Sequence, residues 1–108
     1  MPVTVIDSLD TFKAATGGDK LVIIDFWATW CGPCKVVSPV FAKLSDSFPN
    51  IGFYKCDVDE QEEVAAEVGI KAMPTFIFFK NGAEVGKVVG ADPNKLKAAL
   101  EHHAEASA

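Results

Sequence analysis

The apolar run at residues 21–27 constrains the fold more than any other part of the sequence. Every residue in it is apolar except Asp25. Strands that are apolar on both faces are typical of the centre of a parallel sheet, because helices cover both faces there. The run therefore predicts a central strand, and the rest of the chain must supply helices for its two sides.

Strand-like and helix-like periodicity alternate along the rest of the chain, with no linker or repeat between the segments. Further strands are predicted at residues 3–6, 51–58, 75–80 and 84–89. Helices are predicted at residues 8–16, from Cys34 to before Pro49 with a kink at Pro39, at residues 59–69 with Asp59 and Glu62 as a capping box, and from Pro93 onward. Asn81-Gly82 predicts a hairpin, so the last two strands should be antiparallel. The order βαβαβαββα predicts an α/β fold with helices on both faces of one open sheet.

Length and charge exclude several classes of protein. The 108 residues suit one domain, which we place at residues 1–108, and 49% hydrophobic and 23% charged residues are typical of a folded chain. The net charge is −5, and the lysines are scattered, so neither nucleic acid nor a membrane surface is expected as a partner. No apolar run approaches the roughly 20 residues of a membrane-spanning helix.

The number of cysteines and the composition of the first residues predict where in the cell the protein is located. There are three cysteines, an odd number, and the first residues lack the basic and apolar regions of a secretory signal. A reducing environment suits such a chain, so we expect a cytoplasmic location.

The C-x-x-C pair of Cys31 and Cys34 follows the apolar strand and precedes a helix. Free backbone N–H groups and the helix dipole stabilise a thiolate at a helix start. We expect Cys31 to be exposed and to attack a disulfide, and Cys34, one turn inside, to resolve the mixed disulfide. Gly32 would leave the approach open, and Pro33 would stiffen the turn. A structural zinc site shares this spacing, but it needs two further ligands and only one other thiol is present.

The segment at residues 25–35, DFWATWCGPCK, together with Met73-Pro74-Thr75, resembles the thioredoxin family of the eukaryotic cytosolic kind. The similarity covers the whole chain. It implies the thioredoxin fold, an open mixed sheet of five strands with the first three parallel and the last two antiparallel, flanked by four helices. It also implies that Met73-Pro74 is a cis peptide bond against the dithiol and that Gly90 lets the backbone of a partner approach.

The resemblance further implies an activity and its partners. A family member of this kind is a general protein disulfide reductase that passes through an oxidised Cys31–Cys34 form. Its substrates are disulfide-containing proteins, and an NADPH-dependent flavoprotein thioredoxin reductase restores the dithiol. The sequence has no G-x-G-x-x-G after a strand and no phosphate loop, so we expect no cofactor of its own.

Two other activities stay open on the same fold. An oxidant or isomerase usually carries a histidine at the position of Pro33, and its absence favours a reductant because the thiolate gains less stabilisation. A redox-inactive scaffold that only binds partners is the other reading, and the intact Cys31/Cys34 pair disfavours it.

Asp25 has two interpretations. A carboxylate inside an apolar strand is costly to bury, and Lys55 on the next strand is the available partner, so the two could form a structural ion pair. Alternatively, desolvation raises the Asp25 pKa toward neutrality and the carboxylate accepts the proton of Cys34, the role that the resemblance implies. We favour the second reading.

The remaining polar and aromatic candidates have structural or docking interpretations. Cys56 is expected to be a small buried apolar residue, and His102 and His103 a frayed helix end. Trp30 would either pack over the site or present apolar surface to substrates, with Met73 and Pro74 alongside it; we favour the docking role. The backbone of Met73 would pair with an extended substrate segment.

Overall fold

The computed structural model describes residues 3–106 and has nine helices and strands in that range. They are β1 (Thr4–Val5), α1 (Leu9–Thr16), β2 (Val22–Trp27), α2 (Gly32–Ser47), β3 (Gly52–Asp57), α3 (Glu62–Val68), β4 (Thr75–Lys80), β5 (Ala83–Val89) and α4 (Pro93–Ala106). The predicted order βαβαβαββα is confirmed, and most strand ends move by one residue. Within residues 3–106, no helix is both long and apolar enough to cross a membrane.

The five strands form one mixed sheet in the order β1-β3-β2-β4-β5. β3 pairs parallel with both β1 and β2, whereas β4 pairs antiparallel with β2 and β5. The prediction of three parallel strands followed by two antiparallel strands did not specify which strands are neighbours in the sheet. β1 and β2 are separated by β3, and β5 runs in the same direction as β2 because two antiparallel pairings lie between them.

Alternating side chains of the central strands fill two apolar layers. Leu21 and Ile23 face α2 and α4 in one layer, and Val22 and Ile24 face α1 and α3 in the other. A strand covered on both faces has to be apolar throughout, which accounts for the continuous run that predicted β2. Asp25 shares the face of Ile23, under α2, so the fold buries it with the core.

Capping residues set the helix ends, and one predicted cap is wrong. The Ser8 Oγ accepts the backbone N–H of Thr11 at 3.0 Å and begins α1 as predicted. The capping box of Asp59 and Glu62 does not form, because α3 begins after Gln61, which makes no side-chain cap. The physical reason is a side-chain turn at Asp57, whose Oδ1 accepts the N–H of Asp59 at 2.9 Å. This turn begins two residues before Asp59, the predicted cap.

The hairpin and α4 also follow from local sequence, with one correction. Asn81 and Gly82 both have positive φ, +54° and +78°, as the two-residue turn between β4 and β5 requires. α4 continues to Ala106, so the prediction of a frayed end at the two histidines is wrong. The His103 ring stacks on Phe78 with centroids 4.1 Å apart, which holds this turn of α4 on the sheet.

Candidate active site

The dithiol lies at the start of α2, a few residues after β2 ends at Trp27. Cys31 is the N-cap residue of α2, with extended backbone, and its Sγ accepts the backbone N–H of Cys34 at 3.1 Å. Cys31 and Cys34 are joined as a disulfide, with Cα atoms 5.3 Å apart. Pro33 occupies the first turn, where its missing N–H costs no helical hydrogen bond. The predicted pairing and its position at a helix start are therefore confirmed.

The prediction that Cys31 is exposed is wrong for the disulfide form. Its exposed fraction is 5%, against 2% for Cys34, so both residues are buried in the disulfide form. The reason is an apolar cluster around the disulfide, in which Val58 and Met73 pack against the two cysteines and Ala28. Gly32 and Pro33 are the exposed residues of the motif, and a Cβ on Gly32 would meet no atom within 4 Å. The approach to the disulfide is thus open on the side of Gly32.

Trp30 is an exposed aromatic residue directly before the dithiol motif. Its side chain is 66% exposed, and its Nε1 donates a hydrogen bond to Oδ2 of Asp59 at 2.9 Å. This bond joins the loop before α2 to the turn after β3 and fixes the direction of an exposed indole. Sequence reasoning missed Asp59 as part of the site, because the two residues are 29 positions apart and the acidic run around Asp59 predicted only a helix N-terminus.

The Met73-Pro74 peptide bond is cis, as predicted. It directly precedes β4, and Met73 packs against the disulfide cluster. The carbonyl of Pro74 accepts the N–H of Gly90 at 2.9 Å, which brings the end of β5 to the same edge of the sheet. Gly90 has φ +102°, a conformation that favours glycine, and a Cβ there would meet nothing within 4 Å.

Asp25 lies inside the fold, behind the disulfide. It is 3% exposed, and its Oδ1 is inaccessible and accepts no hydrogen bond. Burial raises the pKa of Asp25 from 3.8 to about 7, and the positive charge of Lys55 offsets part of that rise. Lys55 is the residue directly opposite Asp25 on β3. A cavity of about 280 Å³ is lined by both Asp25 and Cys34.

Cys56 is a free cysteine, fully buried on β3. Burial, and to a smaller extent the negative charge of Asp57, raise the pKa of its thiol to about 12. A thiol with so high a pKa is protonated at neutral pH and is unreactive. Among residues 3–106, no group of three or more His, Cys, Asp or Glu side chains is placed to hold a metal ion.

Comparison with known proteins agrees with this geometry. The family model described as thioredoxin matches residues 3–102. The chain belongs to the thioredoxin family. It is 64% identical to thioredoxin of Malassezia sympodialis over 103 residues, covering 94% of this chain and 98% of that protein. It is 49% identical to thioredoxin-1 of Saccharomyces cerevisiae over 102 residues, covering 94% and 99%.

Solved thioredoxin structures share the fold over nearly the whole chain. The crystal structure of Malassezia sympodialis thioredoxin superposes with a TM-score of 0.93 at 61% identity, covering 96% of this chain and 95% of that one. A thioredoxin of Plasmodium falciparum superposes with a TM-score of 0.90 at 39% identity, covering 93% and 98%. Thioredoxins are thiol–disulfide oxidoreductases, and this chain is one of them by family and by its redox-active cysteine pair.

Proposed function

We propose that the chain is a general protein disulfide reductase that cycles between a Cys31/Cys34 dithiol and the disulfide. The observation that carries the proposal is the disulfide at the N-terminus of α2, where backbone N–H groups and the helix dipole favour a thiolate at Cys31. Lone cysteines or a structural zinc site would not supply an exchangeable pair. Family membership supports the same reaction class.

The reaction consists of two exchanges in which atoms and electrons balance. The Cys31 thiolate attacks one sulfur of the substrate disulfide, the substrate S–S bond breaks, and one substrate thiolate leaves. The Cys34 thiolate then attacks the Cys31 sulfur of this mixed disulfide and releases the second substrate thiolate. The substrate gains two electrons, and the chain is left with the Cys31–Cys34 disulfide.

Asp25 is the proton acceptor for Cys34 in the second exchange, with Lys55 as its charged partner. Cys34 is buried, and a buried thiol resists ionisation unless a base takes its proton. A carboxyl group with a pKa of about 7 is suited to accept and release a proton near neutral pH. The shared cavity supports this role for Asp25 over that of a purely structural ion pair.

Substrates dock on the edge that carries Trp30, Gly32, Pro33, the Met73-Pro74 bond and Gly90. Trp30 supplies exposed apolar surface beside the disulfide. The backbone around Met73 precedes β4 and is free to pair with an extended segment of the substrate, as in strand addition. Gly90 has no side chain, so a second backbone can come close to the site.

The electron donor in this proposal is an NADPH-dependent flavoprotein thioredoxin reductase, since the chain has no nucleotide-binding motif. The site of action is the cytosol, which the odd number of cysteines and the unpaired, buried Cys56 support. Neither nucleic acid nor a membrane is a partner in this proposal, because the net charge of −5 disfavours both.

Insulin reduction by the chain, with NADPH and a thioredoxin reductase, tests the proposal. We expect turnover by the unmodified chain, none by Cys31→Ser, and a persistent mixed disulfide on Cys31 in Cys34→Ser. Cys56→Ser is the matched control, because it removes a thiol outside the site. A persistent adduct on Cys34 in the Cys31→Ser variant, or loss of turnover only in the Cys56 variant, would contradict the assignment.

A further inference from the structure

Lys55 lies between two carboxylates on one face of the sheet. β2 and β3 are paired in register, so Asp25 is opposite Lys55 and Trp27 is opposite Asp57. Residues two apart on a strand share a face, and opposite residues on paired strands are neighbours. The four side chains therefore form a square, in which Lys55 has Asp25 beside it and Asp57 one step further along its own strand.

Two cavities meet at this square, with Lys55 and Trp27 lining both. The cavity of about 280 Å³ has Asp25 as its only carboxylate. The other, of about 220 Å³, is lined by three carboxylates: Asp7, Asp57 and Glu60. Lys55 therefore lies between a cavity lined by one carboxylate and a cavity lined by three.

The ammonium of Lys55 lies near the ring of Trp27, which is paired with Asp57 across the two strands. Its Nζ lies 5.9 Å from the centre of the Trp27 ring, an arrangement that attracts a cation. Meanwhile Oδ1 of Asp25 is buried and accepts no hydrogen bond. A lysine that paired fully with Asp25 would satisfy such an oxygen, since buried carboxylates are normally hydrogen-bonded. The positive charge is therefore only partly committed to Asp25.

Asp57 is the fixed negative charge of the second cavity. It is 8% exposed, and its Oδ1 accepts the backbone N–H groups of Asp59 at 2.9 Å and Glu60 at 3.3 Å. These bonds immobilise the carboxylate at the end of β3, whereas Asp7 and Glu60 are exposed and their charges are screened by solvent. Asp57 is thus the best placed of the three to attract Lys55.

We propose that Asp57 is a positioning residue for Asp25: it holds the ammonium of Lys55 toward the second cavity and keeps Asp25 able to take a proton from Cys34. The inference rests on the base role proposed above for Asp25. The other groups that face Asp25 are Lys35, at the cavity mouth on α2, and the uncharged Phe76, opposite it on β4. Of the two lysines, Lys55 is the one that lies directly opposite Asp25 on a paired strand, and its charge is the one that lowers the Asp25 pKa.

A direct effect of Asp57 on Asp25 has to be separated from an effect through Lys55. Removal of a nearby negative charge lowers a carboxyl pKa whether or not a lysine moves. The two mechanisms differ in a background without the lysine, because the direct effect persists there and the positioning effect disappears. A double-mutant cycle on Asp57 and Lys55 measures this difference.

The experiment is a ¹³C NMR titration of the Asp25 carboxyl group in the disulfide form, in which Cys34 cannot titrate. We expect Asp57→Asn to lower the Asp25 pKa by about one unit or more, because an opposite charge brought within about 4–6 Å has an effect of roughly that size. In the Lys55→Met background, the same substitution should give less than half that shift. Asparagine keeps an oxygen for the turn, and Asp57→Ser is a second uncharged variant with a hydroxyl acceptor.

Glu60→Gln is the matched control, since it removes an exposed carboxylate of the same cavity and should shift the Asp25 pKa less than Asp57→Asn does. Equal shifts with and without Lys55, or no shift, would overturn the proposal. The acidic limb of the pH–rate profile for insulin reduction should move to lower pH in Asp57→Asn. An NMR shift without that movement would overturn the base role of Asp25 and leave the control of Lys55 by Asp57 supported.

Discussion

Replacing Asp25 with asparagine should stabilise the fold at neutral pH and leave it nearly unchanged in acid. Asp25 has a pKa of about 7 in the folded chain against 3.8 as its ordinary value. Between these values the folded state holds a proton that the unfolded state has released. The stability associated with that proton is fully present below pH 3.8 and is lost as the pH rises through 7.

The size of the effect follows from the difference between the two pKa values. One pKa unit corresponds to about 1.4 kcal/mol, so the buried carboxyl group lowers the free energy of unfolding by about 4 kcal/mol at pH 7. Asparagine is neutral and close in shape, so Asp25→Asn avoids this cost at every pH. We therefore expect the variant to exceed the unmodified chain by an amount that grows from pH 4 to pH 7 and levels off above about pH 8.

Urea unfolding of the disulfide form between pH 4 and pH 8.5 measures this difference directly. The oxidised chain is preferred because no cysteine of the site titrates in it. Asp19→Asn is a suitable control for an exposed surface carboxylate, since Asp19 lies outside the site cavity. A difference that does not vary with pH, or a variant less stable than the unmodified chain at pH 8, would refute the desolvation argument and favour a stabilising ion pair with Lys55.

Three further predictions concern contacts around the site and the sheet. Cys56→Val should retain insulin reduction and change the free energy of unfolding by less than about 1.5 kcal/mol, because it replaces a buried apolar residue with one of similar size. Gly86→Ala should destabilise the fold by about 1–3 kcal/mol in urea, because its Cβ would lie 2.7 Å from Cε1 of His103; the same substitution should cost less in a His103→Ala background, and an equal cost there would contradict the clash. Asp59→Ala should shift the fluorescence of Trp30 and lower stability by about 0.5–1.5 kcal/mol, the range for one hydrogen bond; an unchanged emission spectrum would contradict the anchoring role.

Local patterns predicted the helices and strands because each pattern contains its own physical cause. The apolar run at residues 21–27 needs cover on both faces, and Asn81-Gly82 supplies the two positive φ angles of the hairpin. The capping box at Asp59 does not form, because Asp57 Oδ1 already accepts the Asp59 N–H that the side chain of Glu62 would bind in that motif. Local rules thus fail where two local signals overlap.

Relations between distant segments could not be read from those patterns. Periodicity does not specify which strands pair, so the position of β3 between β1 and β2 appears only in the structure. The burial of Cys31 depends on Met73, which arrives from a loop 42 positions later in the numbering. The bond of Trp30 to Asp59 also joins separate loops. The sequence thus predicted Lys55 as the partner of Asp25, and the resemblance placed Met73 beside the dithiol, whereas the burial of Cys31 and the bond from Trp30 to Asp59 required the structure.

The position of Asp25 links the stability of the fold to its proposed chemistry. A base that works near neutral pH needs the desolvation that only a covered strand supplies, and that desolvation costs the fold about 4 kcal/mol at pH 7. Full burial of one aliphatic or aromatic side chain contributes about 1.5–3 kcal/mol, so Ile23 and Phe26, both fully buried on the same strand, offset the cost. A more exposed Asp25 would make the chain more stable and the carboxyl group too acidic to hold a proton at pH 7. If Asp25 is the base, selection for stability alone would therefore remove the property that makes it useful.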